Sequence, residues 1–325
     1  MTRQKGLALV LVLWVLSLLT IMAGSFALGI RRETSIITGI RNNAQAQAVA
    51  ESGIALAETK LLDPDQNKRW RTDGSIYEII SADAKIRVRV LSEAGKVDIN
   101  QADRTLLEKL FSLSPLDEKQ QSQLVSAIID WRDQDDLIQL NGAEKKEYKD
   151  AGLNHQPSNK PFQAVEELQL VLGMNEAVFK WLEEMITVYF GQQQVDLKLA
   201  SREVLNLTAG LDTDQLNSYL ETRLESAKND LPAPPFPTIS GQNNAAGQNN
   251  AAAGQNNVFT IITEAQLNDE SSAMISAVIS QADEARDKPF QVLKWQNVTD
   301  NTTSLFTDAM SELVVKQYNE PELNN

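Results

Sequence analysis

Cysteine is absent from the 325 residues of this chain, and histidine occurs once, at His155. The first absence excludes disulfides, thiolate metal sites and cysteine nucleophiles. The second excludes histidine-rich zinc centres and leaves a Ser-His-Asp triad only His155, which lies in the loop-like Asn154-His155-Gln156-Pro157 and reads as an exposed loop residue. No glycine-rich phosphate loop and no nucleophile elbow is present. Charge is missing altogether from Gly6 to Ile30, and acid is missing from residues 1–32, which hold Arg3, Lys5, Arg31 and Arg32. The rest of the chain sets 26 basic against 44 acidic residues, a net −18 within an overall −14. A body this acidic repels phosphate backbones, so nucleic acid is not expected as a partner.

The uncharged stretch GLALVLVLWVLSLLTIMAGSFALGI is the strongest positive feature. As a helix it measures about 36 Å at about 1.5 Å per residue, enough to cross a hydrocarbon core of about 30 Å. A cleaved secretory signal has a shorter apolar region; Ala23, Gly24 and Ser25 keep that rival open. The basic flank Arg3 and Lys5 is expected on the cytoplasmic side and the acidic body on the other. Helical periodicity continues past the membrane through Ile37, Ile40, Ala44 and Ala48, then Ala50, Ile54 and Leu61, and stops at Asp63-Pro64-Asp65. One helix of more than fifty residues is predicted, half in lipid and half packed on a domain.

Beyond it, Ala84–Leu91 alternates Ile86, Val88 and Val90 with Arg87 and Arg89, a half-buried strand. A turn at 92–96 leads into Val97-Asp98-Ile99-Asn100. Residues 101–228 read as three helix-turn-helix units, with turns at Ser114-Pro115, Leu172-Gly173-Met174 and Ala209-Gly210-Leu211. These turns are similar to helix-hairpin-helix units, but Asn175, Glu176, Asp212 and Asp214 surround them where a phosphate binder needs lysine or arginine. Residues 232–257, with a proline cluster and repeated Gly-Gln-Asn-Asn blocks, cannot bury a core. Short strands are predicted at 259–262, 273–279 and 290–295, pairing with 84–91. The helical block is then an insertion in one α+β domain.

The basic leader ending at Gly6, the apolar run from Leu7 and the long helix together resemble the type IV prepilin family, including the pseudopilins of type II secretion. The strand followed by Gly95-Lys96-Val97-Asp98-Ile99-Asn100 resembles the general secretion pathway protein K family within it. The resemblance implies cleavage after Gly6 by a prepilin peptidase and methylation of the new N-terminus at Leu7. It implies a pilin-like antiparallel sheet with a large inserted all-α domain, apportioned as leader 1–6, transmembrane half-helix 7–30, periplasmic half-helix 31–62, strands 63–96, helical insertion 97–230, low-complexity linker 231–257, strands 258–318 and tail 319–325. It implies a structural rather than catalytic role: a minor pseudopilin of the inner membrane and periplasm, at the tip of a short fibre that helps export folded proteins. Partners implied are other minor pseudopilins, the major pseudopilin, the prepilin peptidase and the inner-membrane secretion platform. Most pilins carry a glutamate five residues into the mature chain, where this chain has Leu11, an arrangement suited to a subunit with none above it.

The densest polar cluster, Trp131 to Asp136 followed by Asn141-Gly142-Ala143-Glu144, places Asp133, Asp135 and Glu144 at positions 1, 3 and 12 of a calcium loop. Leu137 and Ile138 then fall where an EF-hand needs a ligand and a glycine, so it is not an EF-hand. On spacing alone the segment is a solvated helix end or a site for a hard cation. The protein K resemblance implies calcium, with Asp133, Asp135, Asp136 and Glu144 as ligands. Two other classes remain: a minor pilin of a type IV pilus or DNA-uptake system, and a membrane-anchored enzyme, for which no catalytic constellation is visible.

Overall fold

The computed structural model describes residues 5–66, 68–208, 210–237, 257–282, 288–298 and 304–319. The chain opens with α1 (Lys5–Leu61), a single uninterrupted helix of 57 residues. Its N-terminal half is long and apolar enough to cross a bilayer. The polar side chains there are satisfied within the helix: Ser17 Oγ donates to the Leu13 carbonyl and Thr20 Oγ1 to that of Leu16, each at 2.8 Å. Lipid offers no other partner to such groups.

The packed half of α1 buries Ala50, Ile54 and Leu61 as expected but not the residues expected before them. Ile37, Ile40, Ala44 and Ala48 are exposed. The buried stripe is Ala46, Ala50, Ile54, Ala57 and Leu61, with Gly53 among them. Ala46, Gly53 and Ala57 are the members of this stripe that the apolar pattern does not single out, because small residues carry little periodic signal. Their smallness is what the sheet requires. Thr263 Oγ1 donates to the Ala50 carbonyl at 2.8 Å, so strand and helix backbone nearly touch. A Cβ on Gly53 would stand 3.1–3.2 Å from methyls of Ile86, Thr263 and Val88.

Those methyls belong to a six-stranded sheet in the order β7-β6-β5-β2-β1-β8. Its strands are β1 (Asp73–Ile80), β2 (Ala84–Ser92), β5 (Val258–Leu267), β6 (Ser272–Gln281), β7 (Phe290–Val298) and β8 (Val314–Asn319). The α+β class is as expected. All neighbours are antiparallel except β8, which runs parallel to β1. In β2, Ile86, Val88 and Val90 are buried under α1 and alternate with the arginines, as the period of two predicts. Strand β1 gave no such alternation because both its faces are covered. Tyr77 and Ile79 join the α1 side, and Trp70 stacks on Tyr77 with centroids 4.2 Å apart.

The other face is closed by the C-terminal segment through buried charge. Glu78 accepts from Arg87 Nε at 2.8 Å and from Gln317 Nε2 at 2.7 Å. Arg87 also donates to the Leu305 carbonyl and Ser311 Oγ and lies 4.7 Å from the Phe306 ring centroid. Glu264 accepts from Ser304 Oγ at 3.0 Å. The short helix α8 (Asp308–Glu312) then turns the chain into β8. The expected tail beyond Asn319 lies outside the described residues.

Between β2 and β5 sits the helical block. It contains β3 (Val97–Asp98), α2 (Arg104–Phe111), α3 (Glu118–Arg132), α4 (Lys145–Asp150), a 3-10 turn at Val165–Leu170 where a full helix was predicted, α5 (Glu176–Leu182), β4 (Ile186–Thr187), α6 (Arg202–Thr208) and α7 (Thr213–Lys228). Aspartates cap α2, α3 and α7, each accepting a backbone N–H of the first turn. The block has its own core around Phe111, Leu124, Ile128, Tyr148, Phe162 and Leu182.

The stretch Lys96–Asn100 fastens that block. Lys96 pairs with Glu93 at 2.7 Å, and Thr260 Oγ1 of β5 donates to the same carboxylate oxygen at 2.6 Å. Val97 and Ile99 N–H groups donate to the Met185 and Thr187 carbonyls at 2.9 Å, pairing β3 with β4 in parallel. Asp98 accepts from the N–H of Gly191 at 2.6 Å, and Asn100 makes a reciprocal pair with the backbone of Phe162. Linker residues 231–237 are not free of the fold. The Arg71 guanidinium holds the Leu231 carbonyl, and Phe236 meets the Tyr219 ring edge-on at 5.0 Å. Residues 238–256, the Gly-Gln-Asn-Asn repeats, lie outside the described residues.

Gly53→Leu is expected to destabilise the chain by about 1–3 kcal/mol through overpacking, read as an earlier unfolding transition in detergent. Gly39, whose added Cβ would meet nothing within 4 Å, should accept alanine with no loss.

Candidate functional site

Two places carry the residues singled out from the sequence. Gly6 and Leu7 lie at the start of α1, and Leu11 is 60% exposed on the apolar shaft. The second is an acidic pocket at the end of α3. The last two turns of that helix, Leu124 to Trp131, are buried apart from half-buried Ile129, and Asp130 sits among them with no exposed surface. Its oxygens accept from the backbone N–H of Gln139 at 3.1 Å and of Ala143 at 2.8 Å, folding the following loop back onto the helix. A Cβ at Gly142 would fall 2.0 Å from Asp130 Oδ2, so glycine is required there.

Glu144 is brought into this pocket as the residue preceding α4, and it is 7% exposed. Its Oε1 and the Oδ1 of Asp133 are buried with no hydrogen-bond partner. Burial first, then the charges of Asp130, Asp133, Asp136 and Asp135, push the Glu144 carboxyl up to about 7. Burial likewise lifts Asp130 to about 6, against the pull of its two backbone donors. Burial and Asp135 raise Asp133. Arg132, the nearest cation in sequence, does not neutralise the group: its guanidinium turns inward to the carbonyls of Ile99 and Ala102.

Asp135 and Asp136 stay at the rim. Asp135 Oδ1 accepts from the Leu137 N–H at 2.8 Å, and Asp136 Oδ1 from Asn159 Nδ2 at 2.9 Å. The four sequence-chosen acids thus divide into two facing inward and two outside. Asp130 was missed, although an aspartate inside the apolar run Ser126–Trp131 was a visible signal. Carboxylate oxygens without donors, lifted towards protonation by one another, suit a hard cation in chemistry. Among the described residues, however, no three acidic or imidazole side chains stand close enough together to hold one ion.

His155 departs from the expected exposed loop. It is half-buried, its Nε2 lies 2.9 Å from the Leu170 carbonyl, and its ring meets Tyr148 and Trp131 edge-on at 5.4 and 6.4 Å. It serves as packing under the pocket. Of the tryptophans, Trp70 and Trp131 are core, Trp14 is on the membrane shaft, and Trp295 is exposed on β7.

Comparison with known proteins finds components of type II secretion. Residues 84–191, from β2 to just beyond β4, match the family model described as type II secretion system (T2SS), protein K. The chain is 31% identical over 203 residues to type II secretion system protein K of Klebsiella pneumoniae, covering 55% of this chain and 61% of that protein. A chain in the crystal structure of the GspK-GspI-GspJ complex of enterotoxigenic Escherichia coli aligns over 83% of this chain and 99% of its own length, at 15% identity and a TM-score of 0.49. The protein K resemblance read from the sequence is borne out.

The lifted carboxyls give the pocket a definite pH dependence. Unfolded Glu144 and Asp130 would titrate near about 4, whereas in the fold they hold their protons to about 7 and about 6. Ionising them therefore costs the folded state stability as pH rises from about 4 to about 7. Glu144→Gln is expected to be more stable than wild type at pH 8 without divalent ions, with the gap closing by pH 4. A gap independent of pH would contradict the assignment.

Proposed function

We propose that this chain, with its protein K segment at residues 84–191, is a minor pseudopilin of type II secretion, placed at the tip of the pseudopilus. The observation that carries the reading is the conjunction of an exposed apolar half-helix with a bulky helical block set into the sheet domain. A helix that leaves every residue from 9 to 41 exposed on its own chain is built to be buried by something else. Before assembly that is lipid; in the fibre it is the helices of neighbouring pseudopilins. On this reading its role is structural, as the family resemblance implies; among the described residues the carboxylates of the acidic pocket have no nucleophile or histidine in a catalytic arrangement with them.

Leu11 and the helical block support the tip position. A carboxylate in the apolar run is costly, up to about 2.5–3.5 kcal/mol at the centre of a spanning helix, unless a partner amine meets it. A subunit with leucine offers no acid to a subunit above, while its own N-terminal amine can be met from below. A block the size of residues 97–228 repeated along a thin shaft would collide with its copies. The partners on this reading are other minor pseudopilins and the major pseudopilin, with the prepilin peptidase and the inner-membrane platform acting during maturation. Arg3 and Lys5 remain cytoplasmic and the acidic body enters the periplasm.

Calcium belongs to the same proposal. The orphaned atoms of Asp133 and Glu144 would supply its inner carboxylate oxygens, and Asp135 and Asp136 would have to swing in from the rim to complete the set, since as they stand no three acids among the described residues are close enough to share one ion. A bound cation would offset both the burial and the mutual repulsion that now lift Glu144. Asp130 would remain the anchor of the loop rather than a ligand, since its oxygens already accept from Gln139 and Ala143.

Processing is checked by the mass of the mature protein: cleavage between Gly6 and Leu7 with a methylated N-terminus is expected, and Gly6→Val should leave the full precursor in the membrane. A mature chain beginning beyond Ala23 would show a conventional signal peptide instead. For calcium, a chelator should lower the melting temperature of the wild-type chain and leave Glu144→Gln unmoved; superimposable wild-type curves with and without calcium would remove the ion from the account.

A further inference from the structure

The loop that returns from Asp130 carries a feature that neither the membrane helix nor the acidic pocket uses. Leu137, Ile138 and Leu140 are 73%, 51% and 86% exposed, three large apolar side chains within four residues. Scattered exposed leucines are ordinary, but a contiguous group is not. The loop is also fixed in place. Asp130 accepts from the Gln139 and Ala143 N–H groups, Ser126 Oγ donates to the Leu140 carbonyl at 2.9 Å, and Arg104 reaches Gln139 Oε1 at 3.3 Å. The Asp135 carboxylate takes the Leu137 N–H, and Asn159 ties down the Asp135 carbonyl. Asn141 holds a left-handed φ of 64° to complete the turn. Nearly every tether goes to the backbone or to Gln139, while the three apolar side chains point away from the block. A loop pinned this way pays its ordering cost in advance, which favours binding through whatever it presents.

We infer that Leu137-Ile138-Gln139-Leu140 is a docking element for a different protein, one offering an apolar concavity rimmed by lysine or arginine. Charge selects this occupant. Residues 133–144 contain Asp133, Asp135, Asp136 and Glu144 and no lysine or arginine. Asp135 and Asp136 are exposed beside the leucines. A second copy of a chain with net charge −14 meets repulsion here, and so does an anionic lipid surface. An apolar socket gains from the leucines in either state, and its basic rim gains from the exposed Asp135 and Asp136 when no cation holds them. The surface stands apart from α1 and does not depend on where in the fibre the subunit sits.

The test places a photo-crosslinking amino acid at Ile138 of the full-length chain in its own cells and identifies the joined peptide by mass spectrometry. The expected product joins Ile138 to another protein, at apolar residues flanked by lysine or arginine. Its yield should fall on the order of tenfold in a Leu137→Ser, Leu140→Ser variant whose melting curve matches wild type. A crosslinker at Leu16 on α1 reads helix association separately and should be unaffected by the loop variant. Crosslinks from Ile138 to a second copy or to lipid, no crosslink at all, or a yield unchanged in the double variant would each overturn the docking element. Loss of the Leu16 product alone would count against the pseudopilin reading and leave the loop standing.

Discussion

The close approach of α1 to the sheet is the constraint on which the rest of the molecule rests. Ala46, Ala50, Gly53 and Ala57 let a helix backbone lie against β2 and β5 so closely that a strand threonine bonds a helix carbonyl. Larger residues would hold the two apart and lose the contacts of Ile86, Val88 and Ile261 beneath. Because the same helix continues without a break into the apolar segment, the part that enters lipid and the part that carries the sheet are one rod. Any force along the membrane half is delivered directly to the sheet.

The remaining elements are arranged around that contact. One sheet face is taken by α1, so the other must be closed differently, and the chain does so with buried ion pairs and a C-terminal return rather than a second helix. Glu78, Arg87 and Glu264 are each satisfied by several donors or acceptors, which is what makes charge tolerable there. The helical block leaves the sheet from the end of β2 and re-enters at β5, adjacent strands in register, so the insertion does not disturb the pairing it interrupts. Glu93, Lys96 and Thr260 bind its root to the sheet. Its far side is left to present the acidic pocket and the apolar loop.

Much of this was legible in the sequence, and the exceptions have physical causes. The membrane segment is legible because an uncharged run of that length is long and apolar enough to cross a bilayer. Strand β2 is legible because one face is wet and one dry. Strand β1 was hidden because it is covered on both faces, which erases alternation, and β8 because its side chains are only half-buried. The buried face of α1 was legible only at Ala50, Ile54 and Leu61, because Ala46, Gly53 and Ala57 give no hydrophobic signal when their value is smallness. The acids at 133–144 were recognised as a group, but their division into inward and outward pairs depends on a loop path set by Asp130 and Gly142. Spacing along the chain does not contain that path.

The claim that ties these parts together is that one rod, bearing one bulky block and no acid at position 11, terminates a fibre. Labelling the native subunit with an antibody to the helical block and imaging isolated pseudopili tests it directly. The account predicts label at a single end of each fibre, at about one copy. Label distributed along the shaft would contradict it.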